Sequence, residues 1–279
     1  MSKTTIGIIG LGLMGGSFSI ALKETSTTYY FMGLDHNQKH CNEALELGLV
    51  DEVVSSLDEL KNCNIILLTI PVDGIISIAN NLGTLNKNCT VIDLGSTKEK
   101  ISNSIPIQIT ENFVTAHPMT GTEKFGPSAS IANLYRDKVV VLCDMQKSGE
   151  YQQEVAKELF TSIGMRLVEM GAKEHDRHAA FISHMPHAVS YALAKSVIKQ
   201  EDAQSIVALA GGGFKDMSRI AKSSPNMWED IFRQNRPNLL ESISSFQNQL
   251  EKCKDMIEKE KWEELNAWMC SANELHDIL

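Results

Sequence analysis

The chain has 279 residues, 43% hydrophobic and 22% charged, with a formal net charge of −9. That length allows one large or two medium domains with a proper core, and the acidic balance argues against a nucleic-acid-binding surface. No stretch approaches the roughly 20 apolar residues of a membrane helix, and the N-terminus does not read as a signal peptide. Six scattered cysteines, none in a CxxC or other metal-ligand spacing, predict reduced thiols in a cytoplasmic protein.

The first half alternates strands and helices. Residues 5–10 form an apolar run suited to a buried parallel strand, and a glycine-rich turn then opens a helix through Leu22. Residues 29–35 read as a second strand, and 38–47 as a helix stopped by Gly48 in a left-handed cap. Strand 64–70 ends at Pro71, and a helix follows over 77–82. Strands are expected at 90–94, 113–116 and 138–143, then a helix over 150–163 and a last strand over 165–170. This alternation predicts a Rossmann-type, doubly wound parallel sheet. Beyond Gly171 no run has strand periodicity. Helical patterns cover 173–200, 202–222 and 235–278, with a turn at Ser223-Ser224-Pro225. The expected organisation is a dinucleotide-binding α/β domain over 1–171 and an all-α domain over 172–279.

The first turn reads "IGIIGLGLMGGS". Gly10, Gly12 and Gly15 match GxGxxG, and the loop follows a strand and opens a helix, as dinucleotide binding requires. Gly10 permits the tight turn, Gly12 lets the backbone approach a pyrophosphate, and Gly15 allows close helix–strand packing. The helix N-terminus then offers N–H groups and a positive dipole end. Asp35, at the end of the second strand, suits the ribose hydroxyls. It would repel a 2′-phosphate, and no arginine follows, which favours NAD over NADP. The competing reading is a glycine turn with no cofactor.

Three further segments carry chemistry. In "AHPMTG" at 116–121, His117 stands at a strand end before Pro118, which would fix the turn that aims the imidazole. Taken alone, such a histidine is more often structural than catalytic. In "HDRHAAFISHMPH" at 175–187 four histidines invite a metal reading. At about 100° per residue, however, His175 and His178 point away from His184 and His187. Asp176, Ser183, His187 and Tyr191 form one polar stripe instead, and two surface plus two satisfied core histidines remain the plain alternative. In "AGGGFKDMSRI" at 210–220, three glycines inside a helical pattern cost roughly 1 kcal/mol each, which suits close backbone approach. Lys215 and Arg219 share a face that suits a carboxylate ligand, or simply a solvated basic face.

Together the segments "GLGLMGGS", "DLGSTK" at 93–98, "HPMTGTEKFG" at 117–126, "HDRHAAFISHMPH", "AGGGFKDMSRIA" and "SPNMWEDI" resemble the prephenate dehydrogenase family over nearly the whole chain. The resemblance implies an NAD-dependent oxidative decarboxylation of prephenate to 4-hydroxyphenylpyruvate and CO2 in tyrosine biosynthesis. It implies His117 as the group taking the C4 hydroxyl proton and Ser96 as the partner orienting that hydroxyl or His117. By the same resemblance His187, Arg219 and Ser183 would hold substrate carboxylates, with Gly213 beside them, and Trp228 would line or support the pocket. Lys215, Glu123 and Asp176 would form an ionic gate at the site entrance. Backbone and side chains of Gly10, Leu11, Gly12, Leu13, Met14, Gly15, Asp35, Ile70, Pro71 and Val72 would bind the cofactor. The resemblance also implies a homodimer through the helical domain and no metal. Arogenate is the alternative substrate. A β-hydroxyacid-type dehydrogenase using Lys173, Lys195 or Lys215, or an NAD-sensing protein without activity, are the rival readings.

Overall fold

The computed structural model describes residues 3–26, 28–200 and 202–278. An eight-stranded sheet organises the first part of the chain. Its strands are β1 (Thr4–Ile9), β2 (Tyr29–Leu34), β3 (Glu52–Val53), β4 (Ile65–Leu68), β5 (Thr90–Asp93), β6 (Phe113–Pro118), β7 (Val139–Cys143) and β8 (Arg166–Met170). They lie in the order β3-β2-β1-β4-β5-β6-β7-β8. The helices are α1 (Leu13–Thr25), α2 (Gln38–Glu46), α3 (Leu57–Leu60), α4 (Val72–Asn81), α5 (Glu99–Ser104) and α6 (Glu150–Ser162). β4 and residues 6–9 of β1 are apolar and buried because both sheet faces are covered there. Ile6, Ile8 and Leu67 pack with Phe18, Tyr135 and Phe160 on one face, and Ile9, Ile66 and Leu68 with Leu60, Ile75 and Ile101 on the other. Strand order reverses between β1 and β4, so a crevice opens beyond the carboxyl ends of the strands at that point.

The sheet departs from the expected all-parallel arrangement at its last two strands, β7 and β8, which pair parallel with each other and run against the other six. β7 runs antiparallel to β6, with His117 opposite Val141 and Pro118 opposite Val140. The segment between them carries only a short 3-10 turn at Pro127–Ala129, not the crossover helix that a parallel neighbour uses. β6 therefore extends beyond 113–116 through Pro118. Pro118 does not turn the chain; the reversal follows at Thr120, whose N–H donates to the Pro118 carbonyl at 2.8 Å.

The helical part comprises α7 (Ala172–Ala179), a π turn (Ala180–His184), α8 (Met185–Ile198), α9 (Ala203–Ala208), α10 (Gly212–Arg219), α11 (Pro225–Gln234), α12 (Arg236–Glu258) and α13 (Trp262–Asn273). Each long predicted helix is interrupted. The 202–222 pattern breaks at Ala210, and Gly211 caps α10, so the glycines open a helix rather than interrupt one. The 235–278 pattern breaks where Glu260 adopts φ +54°. The 173–200 pattern contains the π turn, which adds a residue to one turn.

Two aspartates help to join the helical part to the sheet domain. Asp73 in the first turn of α4 accepts from Arg233 at 2.7 Å, Gln234 at 2.6 Å and Lys100 at 3.1 Å, and these donors hold its carboxyl down to about 2. Asp176 of α7 accepts from the backbone N–H groups of Lys98 at 2.7 Å and Glu99 at 2.9 Å, placing its charge at the start of α5.

Candidate active site

The glycine loop has the geometry of a dinucleotide cradle. Gly10 adopts φ +100°, and a Cβ on Gly15 would lie 2.3 Å from the Gly10 carbonyl. A Cβ on Gly12 would meet nothing within 4 Å, leaving the backbone open to a phosphate. The N-cap of α1 carries no side-chain hydrogen bond, so no side chain competes for the first-turn N–H groups. Asp35 is nearly buried, and its carboxylate accepts from the N–H groups of Leu11 and Asn37, both at 2.8 Å. Leu11, Leu13 and Val72 belong to the core, so they offer backbone only. Met14, Ile70 and Pro71 remain partly or fully exposed beside the crevice. These residues fit a dinucleotide.

At the carboxyl end of β6 the structure assembles a chain of three side chains. Asp176 Oδ1 accepts from His175 Nδ1 at 2.8 Å, and His175 Nε2 lies 2.8 Å from His117 Nδ1. A carboxylate only accepts, so neutral His175 carries its proton on Nδ1 and accepts at Nε2. His117 must then donate from Nδ1, which leaves a lone pair on its Nε2. Burial first, then His175, Lys98 and His184, hold the His117 imidazole well below its ordinary value. Near neutral pH it is an unprotonated base.

His184 completes the inner wall. It is 1% exposed. Asn235 Nδ2 donates to the Asp176 carbonyl at 2.6 Å and to His184 Nδ1 at 3.0 Å, which puts the proton of neutral His184 on Nε2. Burial lowers this imidazole to about 4. His187 donates from Nδ1 to the Ser183 carbonyl at 2.9 Å, and its ring stacks on Trp228. Burial, and secondarily Arg219, lower His187, so Arg219 stands close enough to act on it. Two bonds from α8 hold that region in place. Ser190 donates to the Met217 carbonyl at 2.7 Å and Tyr191 to that of Ser223 at 2.8 Å. Trp228 Nε1 is buried with no partner among the described residues.

The expected site residues fall into three groups. His187 joins Ser183 and Trp228 by direct contact, His184 lies against the same indole and acts on His117, and Arg219 acts on His187; Gly213 is exposed in the first turn of α10. Ser96 lies on the loop after β5 and makes no hydrogen bond among the described residues; His175, not Ser96, orients His117. The expected ionic gate is not assembled. Glu123 and Lys215 are exposed and form no ion pair among the described residues. Asp176 is 3% exposed with both oxygens engaged, so it supports the site from beneath instead of guarding its entrance. The helical wheel also misplaced the histidines, because the π turn shifts the phase: His175 and His184 both act on His117. Lys98, Asp93 and Asn235 had no assigned part. Of these only Asp93, a charge at the end of an apolar strand, leaves a trace in the sequence.

The nucleotide-binding-domain model of prephenate dehydrogenases matches residues 18–169, and the dimerization-domain model of the same family matches 171–271. The chain is 30% identical to the prephenate dehydrogenase of Bacillus subtilis over 99% of its own length and 76% of that protein. It superposes with a TM-score of 0.92, at 33% identity, on the Aquifex aeolicus prephenate dehydrogenase solved with hydroxyphenyl propionate and NAD+, covering 100% of this chain and 99% of that one. It also superposes on the Synechocystis arogenate dehydrogenase, with a TM-score of 0.79 at 27% identity over 98% and 99% of the two chains.

Proposed function

The chain belongs to the prephenate dehydrogenase family, and from that premise we propose that it is a homodimeric, NAD-dependent prephenate dehydrogenase. The observation that carries the reading is the Asp176–His175–His117 chain, which ends in a free lone pair at the crevice edge of the sheet. Bound at the glycine loop, NAD+ would supply a hydride acceptor. His117 Nε2 takes the proton of the C4 hydroxyl as hydride leaves C4. The ring carboxylate departs as CO2, its bonding electrons complete the aromatic ring, and His117 returns the proton to the phenolate oxygen. No other catalytic acid is needed, because aromatisation drives the loss of CO2.

Ser96, free of other partners, is the donor or acceptor for the C4 hydroxyl. Arg219 and His187 bind the substrate carboxylates and set its orientation. Asp35 receives the ribose and disfavours a 2′-phosphate. The helical domain carries exposed Ile198, Val207, Leu209, Leu250, Trp262 and Met269, apolar surface suited to a second copy. Prephenate is favoured over arogenate because the SHMPH segment carries no carboxylate for an ammonium group.

The test is NADH formation by the purified chain with prephenate and with arogenate. A kcat/KM higher on prephenate supports the reading. Turnover confined to arogenate replaces the substrate, and turnover of neither removes the activity.

A further inference from the structure

Beneath the histidine chain lies an ion pair shut off from solvent. Lys98 Nζ and Asp93 Oδ1 are in contact, and both side chains are 0% exposed. Lys98 Nζ also donates to the Ala116 carbonyl at 2.7 Å, and that carbonyl belongs to the peptide bond leading into His117. The backbone N–H of the same lysine donates to Asp176 Oδ1 at 2.7 Å, the oxygen that accepts from His175. Lys98 thus touches both ends of the chain that runs from Asp176 through His175 to His117. A buried ion pair is a poor stabilising device, since desolvation consumes most of its Coulombic gain and apolar residues of similar volume do as well. Its position is what distinguishes this one. The cationic end faces the His117 peptide, and Asp93 holds the lysine from the other side.

We propose that Lys98 is a positioning residue for His117: it locks both ends of the Asp176–His175–His117 chain and sets a fixed positive charge beside the imidazole. The lock selects the tautomer with the proton on Nδ1. The charge opposes a second positive charge on the ring, in the same direction as burial. The other titratable groups acting on His117 are His175 from α7, itself bonded to Asp176, and His184 from the π turn; apolar Val141 lies opposite on β7. This role rests on the reading of His117 as the base, but its test does not depend on turnover.

The experiment uses the full chain with labelled histidines, as wild type, Lys98→Met, and the double variant Asp93→Asn/Lys98→Met. The double variant removes both charges, so no uncompensated ion is left in the core. Imidazole nitrogen and carbon resonances of His117 are followed against pH by NMR, together with kcat/KM for prephenate. The expected result is a His117 titration raised by on the order of one pH unit in Lys98→Met. A smaller shift of the same sign is expected in the double variant, and a lower share of the Nδ1–H tautomer in both. The low-pH limb of kcat/KM moves up with the titration, so the loss is larger at pH 6 than at pH 8.5. A merely structural lysine would lower the Tm and leave the His117 titration and tautomer unchanged, and that result overturns the proposal. Wild-type chain that turns over neither prephenate nor arogenate defeats the proposed function, while the NMR comparison still decides the part played by Lys98.

Discussion

The rings of His187 and Trp228 lie face to face, with centroids 3.5 Å apart and planes 23° from parallel. The indole fixes one face of the imidazole, and the Ser183 carbonyl fixes its Nδ1, so His187 has one orientation left. Trp228→Ala should raise the KM for prephenate about tenfold or more with a smaller change in kcat. It should also lower stability by about 3 kcal/mol, as expected for emptying a buried indole site. Trp228→Phe, which keeps an aromatic face, should recover most of the KM. Steady-state kinetics and denaturant unfolding check both effects. Equal KM values in the two variants would exclude the stacking role.

His117→Asn should reduce kcat by roughly 10²- to 10⁴-fold while the Kd for NAD changes less than about twofold. Asparagine can hydrogen-bond to His175 but cannot take the hydroxyl proton. Cofactor titration beside initial rates separates the two quantities.

Asp176→Asn replaces an acceptor by a group that is half donor, facing two backbone N–H groups and His175 Nδ1–H. The amide cannot satisfy all three, so the variant should lose on the order of 10²-fold in kcat and several degrees in Tm. A kcat within twofold of wild type would show that the carboxylate does not set the histidine tautomers.

The low value of His184 has a consequence for stability with a definite sign. Its folded-state pKa, about 4, lies below the ordinary 6.5, so the unfolded chain binds the extra proton first. Stability from this group is fully present above about pH 6.5 and is lost as pH falls towards 4, by up to about 3 kcal/mol. Urea unfolding at intervals between pH 7 and 4.5 should show the decline, and His184→Gln should flatten it. A midpoint independent of pH over that range would mean that His184 is not held neutral.

Asp35→Ser should weaken NAD and admit NADP, shrinking the NAD:NADP ratio of kcat/KM by at least about tenfold, since the repelling carboxylate is gone. Part of the loss with NAD should come from the unpartnered Leu11 N–H, which Asp35 now satisfies.

Strand positions in the sheet were legible because both faces are buried and the apolar runs are continuous. The cofactor loop was legible because its glycines answer to steric demands that nothing else meets. The antiparallel β7 was not, since strand direction depends on the connection and an irregular 20-residue segment carries no periodicity. β3, with two residues, and α3, with four, are too short to leave a pattern. At the site, His117 and Arg219 stood out by residue type and motif. His175 and Lys98 were hidden for a shared reason: each acts through partners about 60 and 20 residues away along the chain, and only the folded sheet brings them together. Asp176 shows the converse error, where a charge in a polar stripe suggested an entrance and the fold buried it as a helix cap.

The π turn at Ala180–His184 makes the catalytic arrangement sensitive to chain length as well as to residue type. Removing one residue there, such as Ile182, which is 68% exposed, would let α7 and α8 merge into one regular helix. Everything downstream would rotate by about 100° relative to His175. The His117–His175–Asp176 contacts, all upstream of the turn, would keep their partners, while His184, Asn235 and His187 would turn away from them. A single-codon deletion in this helix therefore separates His187 from the His117–His175–Asp176 chain without altering any of those residues.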